Sequence, residues 1–389
     1  MEEPTPAYTP REPSNTILYQ VIAEHLETFL ATIDADPIAK GLPQHVKDEF
    51  YAYLQCGILA HGFLRLGCDS CAHEMLLAFS CKRRGFCPSC AGRRMAQMAA
   101  HLVEQVIPWV ATRQWVVSVI SQRVIRKLRQ LGYLEAGIDT TIATGYDPLA
   151  DDEPELARTM AASVRLRIAF GERAGQQVRR IGAGFGYEGE RPSPTGTRCA
   201  SVNGFSLHAN TQVPAHRRDQ LERLIRYTAR GTVSLERLKE DAHGDLVYTF
   251  AQPWLDGTTG INLSPLELLE KLAALVPLPR VHLVRYGGCL APHSKLRATI
   301  IPTPHQQGIE APEASRGAPR WTWAKLLKRV FDLDLATCPR CQRGTLRMIA
   351  AITHAQVIRK ILRHLKRAPD PPLIASARCA QAAFAWAAP

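Results

Sequence analysis

Between Cys68 and Arg94 the chain reads CDSCAHEMLLAFSCKRRGFCPSCAGRR. Cys68-x-x-Cys71 and Cys87-x-x-Cys90 stand with fifteen residues between them. No other stretch restricts the fold as strongly. Four thiolates at this spacing match a tetrahedral zinc pattern, in which each C-x-x-C turn supplies one edge of the tetrahedron. The spacing predicts a structural zinc site on Cys68, Cys71, Cys87 and Cys90, closed to water and substrate. Cys81 lies inside the spacer and is the alternate ligand. Cys56 and His73 are also near enough to replace one of the four.

Cations surround these cysteines. Lys82, Arg83 and Arg84 follow Cys81, and Arg93 and Arg94 follow Cys90. A metal-braced loop holding fixed cations suits contact with phosphates. The whole chain carries 48 Lys and Arg against 36 Asp and Glu, a formal charge of +12, which makes nucleic acid the expected partner. No run of eighteen apolar residues is present, so no membrane partner is expected. The opening MEEPTPAYTPREPSN is polar and proline-rich, unlike an export signal. A cytoplasmic, nucleoid-associated protein follows, whose eleven cysteines are reduced thiols and metal ligands rather than disulfides.

Apolar periodicity organises the rest. Residues 1–15 are expected to be disordered. A zinc-binding domain over 16–110 begins with a helix bearing Leu18, Val21, Ile22, Leu26, Phe29 and Leu30 on one face. A second helix follows Pro43 with Val46, Phe50, Tyr53 and Leu54. A third runs from about Gly92 to Ile107 on Met95, Met98, Ala99, Leu102, Val103 and Val106. Gln114–Ile120 reads as a buried strand that runs without a turn into a basic helix from Arg123. Within residues 111–301, helices are expected at about 155–170 and 216–230, and strands at 204–210, 246–250 and 281–285. Ser264-Pro-Leu-Glu267 is a capping box with proline at the first helical position. Residues 302–320 read as a linker, 321–368 as a small basic helical tail, and 369–389 as disordered or weakly ordered. Cys338-x-x-Cys341 is half of a possible second metal site, to which His354 or His364 would have to contribute. The fold class is α+β.

FLRLGCDSC, AFSCKRRGFCPSCAGRRM, RQWVVSV, GFSLHAN, RLIRYTARG, PWLDGTTG, SPLELLEKLAALVPLPRVHLVRYGGCLAPHSKLR and WAKLLKRVF-x₆-CPRC together resemble the rolling-circle insertion-sequence transposases. The resemblance runs from residue 16 to about 368. It implies a zinc-binding domain followed by an HUH-type endonuclease domain that cuts and joins one DNA strand at single-stranded element ends. The nucleophile is a tyrosine, the intermediate a 5′-phosphotyrosine, and the catalytic cofactor Mg²⁺ or Mn²⁺.

The resemblance places the nucleophile at Tyr227, with Arg223, Arg226 and Arg230 as DNA contacts. Position 231 is Gly and position 223 Arg, so the pattern is a single-tyrosine one. The family's metal motif, two histidines flanking one hydrophobic residue, has no counterpart. Of thirteen histidines no two are separated by one residue, and His208 and His282 stand alone. The abrupt passage from strand to helix lies where that motif belongs. It reads as an in-frame deletion near residues 119–123, leaving an incomplete catalytic domain. A catalytically defective, zinc-dependent DNA-binding remnant is therefore the alternative to an active transposase.

Overall fold

The apolar stripe that begins at Leu18 becomes helix α1 (Ile17–Asp34), and all six of its predicted core residues are buried. Thr16 caps it, accepting a bond from the Tyr19 N–H at 3.3 Å. Pro43 precedes α2 (Gln44–Gln55), which buries Val46, Phe50, Tyr53 and Leu54. The computed structural model describes residues 11–35, 41–108, 112–113, 149, 152–182, 193–196, 199–202, 205–208, 212–254, 257–301, 323–331 and 334–378. The expected strand at 114–120, the basic helix after it and the deletion point fall outside these residues, as does the linker.

A hairpin of β1 (Phe63–Cys68) and β2 (Glu74–Ala78) follows, then α3 (Pro88–His101), which ends in a π-helical turn over Leu102–Val106. The hairpin loop and α3 have no core of their own. Phe86 supplies one by packing on α2, with its ring 4.9 Å from Phe50 and 5.4 Å from Tyr53. The face of α3 agrees with expectation at Ala99, Val103 and Val106 and differs elsewhere. It buries Ala91, Ala96, Ala99 and Ala100, while Met95 and Met98 are half-buried. Small side chains are what face the neighbours, because two other helices approach α3 closely.

The central region contains α4 (Pro154–Val164), α5 (Arg218–Ala229), α6 (Pro265–Ala274) and the single turn α7 (Arg297–Ile300). Its largest sheet is antiparallel, in the order β4 (Arg179–Ile181), β11 (Gly260–Leu263), β10 (Leu246–Thr249), β9 (Leu238–Glu240). A meander of β5 (Ser193–Gly196), β6 (Cys199–Val202) and β7 (Phe205–His208) forms a second sheet, and β3 (Thr112–Arg113) pairs with β8 (Gln212–Val213). Val281–Arg285, expected as a strand, joins no sheet among the described residues and is largely exposed.

The capping box forms as predicted: Ser264 Oγ accepts from the Glu267 N–H, and Glu267 accepts from the Ser264 N–H at 3.1 Å. Two carboxylates of α6 are buried and satisfied. Glu270 accepts the N–H groups of Ala169 at 2.8 Å and Phe170 at 3.0 Å, and Glu267 meets Arg173 at 2.7 Å. These bonds seat the 165–178 loop on α6. One continuous core then joins α1 and α2 to Leu156, Leu246, Leu263, Leu269 and Leu272, so packing crosses the expected boundary at residue 110.

The C-terminal region is not a free helical tail. Its helix α8 (Trp323–Phe331) sets Leu326 against Ala96 and Ala100 of α3. Strand β12 (Leu346–Ile352) then pairs antiparallel with β1, giving the sheet order β12-β1-β2. Helix α9 (Ala355–His364) covers Phe63 with Ile358 and Leu362. Residues beyond 368 also have partners, since Ala375 N–H reaches the Ala23 carbonyl at 2.9 Å and Arg378 pairs with Glu24 at 2.6 Å. The edge of β1 away from β2 would be open, and β12 fills it.

Leu269 is fully buried at the centre of the shared core. Leu269→Ala is expected to cost about 2–5 kcal/mol, and Ser264→Ala about 1 kcal/mol. Urea unfolding should show the first change well beyond the second, and should show it in probes placed in both α1 and α6.

Candidate metal centres and nucleic-acid interface

Four elements converge on the first cysteine cluster. Cys56 is the residue after α2, Cys81 lies just past β2, Cys87 precedes α3, and Cys90 sits in its first turn. Their sulfurs all lie within 4.8 Å of one another. The closest separations are 3.3 Å for Cys81–Cys90, 3.7 Å for Cys56–Cys87 and 3.9 Å for Cys56–Cys90. Zinc–sulfur bonds of about 2.3 Å in a tetrahedron put sulfurs roughly 3.8 Å apart, whereas a disulfide needs about 2.05 Å. The cluster therefore fits a zinc ion, and it is buried with the main core.

The thiols show the same need for a cation. Hydrogen bonds from Cys56, Cys81 and Cys87 hold Cys90 far below the usual thiol range. The bond to Cys56 and the crowding of neighbouring sulfurs push Cys81 and Cys87 upward. Bonds from Cys81 and Cys87 also pull Cys56 down, so two thiols ionise easily and the other two then resist ionising. A divalent ion would remove that conflict and take all four as thiolates. The Cys81 N–H also donates to the Cys56 sulfur at 3.3 Å, and the positive end of α3 faces the same sulfurs.

The expected ligand set is corrected here. Cys68 and Cys71 do not join Cys87 and Cys90. They lie at the tip of the β1–β2 hairpin, while Cys56, Cys81, Cys87 and Cys90 lie at its base. Six residues of β1 separate the two ends, about 17 Å at strand rise, so one ion cannot reach both. Cys68 and Cys71 instead meet Cys338 and Cys341, with Cys68–Cys341 and Cys71–Cys338 both at 3.7 Å. In this quartet the N–H groups of Arg343 and Gly344 hold Cys341 down at about 6. Cys71 accepts a lowering bond from the His73 N–H, yet burial and its three thiol neighbours push it up to about 12. His73, His354 and His364 belong to neither quartet. The missed ligand signal was arithmetic: Cys56 and Cys81 complete one set of four and release a C-x-x-C pair for the distant one.

The basic residues divide into structural and exposed groups. Arg84 donates to the carbonyls of Val281 at 2.6 Å and Leu278 at 3.0 Å. Arg94 donates to the carbonyls of Arg83 at 2.7 Å and Arg84 at 2.8 Å, and burial pulls its guanidinium below the usual range. Both arginines brace the loop between β2 and α3. Arg83 and Arg93 are half-buried, and Lys82 is exposed. Glu49, pushed up by burial, accepts the Gly85 N–H at 2.7 Å and ties this loop to α2.

Tyr227 lies near the end of α5 and is 63% exposed. The guanidinium of Arg230 covers its ring at 4.4 Å from the centroid. Arg223 pairs with Asp219 at 2.5 Å, and the buried Nε of Arg226 has no hydrogen-bond partner among the described residues. α5 is built onto the metal helix: Leu221 and Ile225 pack against Ala99 and Val103. A Cβ on Gly231 would lie 2.8 Å from Cβ of Ala91, so the end of α5 touches the first turn of α3. Arg218 closes the opposite end by donating to the carbonyls of Val103, Ile107 at 2.8 Å and Pro108 at 3.0 Å. His282 is exposed on the unpaired 281–285 segment, and His208 ends β7.

Residues 21–119 match the family described as "Transposase zinc-binding domain", of the IS91 type. Residues 148–297 match the family described as "Putative transposase". The chain belongs to the IS91-like transposases. No curated protein and no solved structure matches it significantly. The zinc-binding match contains Cys56, Cys81, Cys87 and Cys90, and the second match contains Tyr227. No described helix of this transposase is long and apolar enough to cross a membrane.

Purified transposase should retain zinc through gel filtration. Cys56→Ser should remove the zinc of the first quartet and His73→Ala should not. Structural zinc contributes of order 10 kcal/mol in small domains, so Cys56→Ser should also abolish cooperative melting of the N-terminal helices. Elemental analysis alongside circular dichroism checks both.

Proposed function

We propose that this IS91-like transposase binds single-stranded DNA at its element ends, and that Tyr227 is the strand-attacking group of a catalytic site that has lost its metal donors. One observation carries the reading. An exposed tyrosine lies beneath an arginine at the end of a helix anchored on the metal-braced helix α3. The net charge of +12 supplies attraction for a polyanion.

The chemistry asked of Tyr227 is in-line attack of its phenolic oxygen on a phosphodiester phosphorus. The O–P bond forms, the bond to the leaving 3′ oxygen breaks, and the phenolic proton must pass to a base. Arg230 and Arg226 can face the non-bridging oxygens of that phosphate, and Lys82 and Arg83 can hold the strand beyond it. A neutral phenol is a poor nucleophile, and the family meets this with a divalent cation on the phosphate.

The donors for Mg²⁺ or Mn²⁺ do not fit that role here. The sequence holds no histidine pair separated by one residue. Among the described residues, the clusters of metal-donor side chains are the two all-cysteine quartets, and soft thiolates suit zinc rather than these hard ions. Residues 120–147, matched by neither family model, include most of the interval in which the deletion is expected. This supports a transposase that binds DNA and cuts it poorly.

Loss of about 4 kcal/mol of metal stabilisation corresponds to about a thousandfold in rate. With labelled single-stranded DNA and Mn²⁺, the transposase should form little denaturant-resistant adduct, and Tyr227→Phe should leave DNA affinity unchanged. An abundant adduct that Tyr227→Phe abolishes would overturn the defective reading in favour of an active strand transferase.

Neutralising Lys82, Arg83 and Arg230 together should flatten the log–log salt dependence of binding by up to about 2. Fluorescence anisotropy across salt concentrations tests this. An unchanged slope would remove this face as the DNA contact.

A further inference from the structure

We propose that Cys68, Cys71, Cys338 and Cys341 form a second structural zinc site, one that staples the C-terminal segment to the N-terminal hairpin. Cys68 and Cys71 lie within the zinc-binding match, whereas Cys338 and Cys341 lie beyond both family matches, which end at residues 119 and 297. Its ligands come from opposite ends of the chain: 273 residues separate Cys68 from Cys341, and 267 separate Cys71 from Cys338.

The geometry is that of paired knuckles. Each C-x-x-C is followed directly by a residue in the left-handed region, Ala72 at φ 54° and Gln342 at φ 55°. L-residues rarely take this conformation, and here the same turn recurs after both second cysteines. Each pair also receives a backbone bond, Ser70 N–H to the Cys68 sulfur at 3.4 Å and Gly344 N–H to the Cys341 sulfur at 3.3 Å. A Cβ on Gly344 would overlap the Cys68 sulfur, so glycine is what permits the second knuckle to close on the first. The strands on either side are cross-tied: Thr345 N–H donates to Asp69 Oδ1 at 2.8 Å and Asp69 N–H to the Thr345 carbonyl at 3.2 Å. Cys338 is fully buried.

The spacing of 3.7 Å for both cross pairs suits four thiolates around one ion and is too long for a disulfide. Four sulfurs in a closed tetrahedron leave no open position, so the ion is structural. Its effect is mechanical. It fixes the start of β12 against the end of β1, and thereby the path of the segment that also carries α9.

The test begins with metal analysis of the full chain. Two zinc ions per chain are expected, falling to one in Cys338→Ser/Cys341→Ser. In that variant, the amides of β12 should exchange with deuterium at least about tenfold faster, while those of β10 and β11 remain unchanged. Equal zinc content in the two proteins would overturn the proposal, as would iron in place of zinc. Should the variant fail to fold, cobalt titration of the wild-type chain decides. Two equivalents with tetrahedral tetrathiolate absorption support the second site, and saturation at one equivalent overturns it.

Discussion

Everything near Tyr227 depends on how the N-terminus of α3 is held. α3 buries Ala91, Ala96, Ala99 and Ala100, side chains too small to fix a neighbour's orientation by shape alone. The cluster of Cys56, Cys81, Cys87 and Cys90 fixes one end of the helix, and Arg218 fixes the other through three carbonyls. Between these anchors α5 and α8 can approach closely. The metal cluster thus positions the tyrosine without touching it.

A second constraint is the charge carried between α5 and α8. Arg329 of α8 pairs with Glu222 of α5 at 2.5 Å and also with Glu104 at the end of the α3 helix. Half-buried ion pairs of this kind add little net stability, but a misplaced partner leaves an uncompensated charge. The triad thus selects one register among three helices whose apolar contacts are permissive.

The helices and the existence of metal ligands were legible in the sequence. Leu18 through Leu30 and Val46 through Leu54 follow helical spacing, and the Ser264 capping box is local by nature. The partnership of the cysteines was not legible, because proximity along the chain favoured joining Cys68-x-x-Cys71 to Cys87-x-x-Cys90. Strand length decides otherwise, and strand length enters only when β1 and β2 are built. Likewise the α3 face was legible at Ala99, Val103 and Val106 but not at Met95 and Met98, since hydrophobicity alone cannot reveal how closely its neighbours approach. The docking of β12 depends on a pairing across more than two-thirds of the chain, for which no local pattern exists. Tyr227 could be placed by resemblance, while its relation to α3 required the packing of Ile225 and Gly231.

The sheet order β12-β1-β2 has a consequence for how the molecule is made. β1 is a central strand whose second neighbour is among the last elements to be synthesised. With 273 residues between Cys68 and Cys341, translation at about 5–20 residues per second leaves that edge bare for roughly 14 to 55 s. During that interval the nascent hairpin exposes unpaired backbone and two unpartnered thiols. A message interrupted anywhere before β12 yields a chain whose first sheet is never finished.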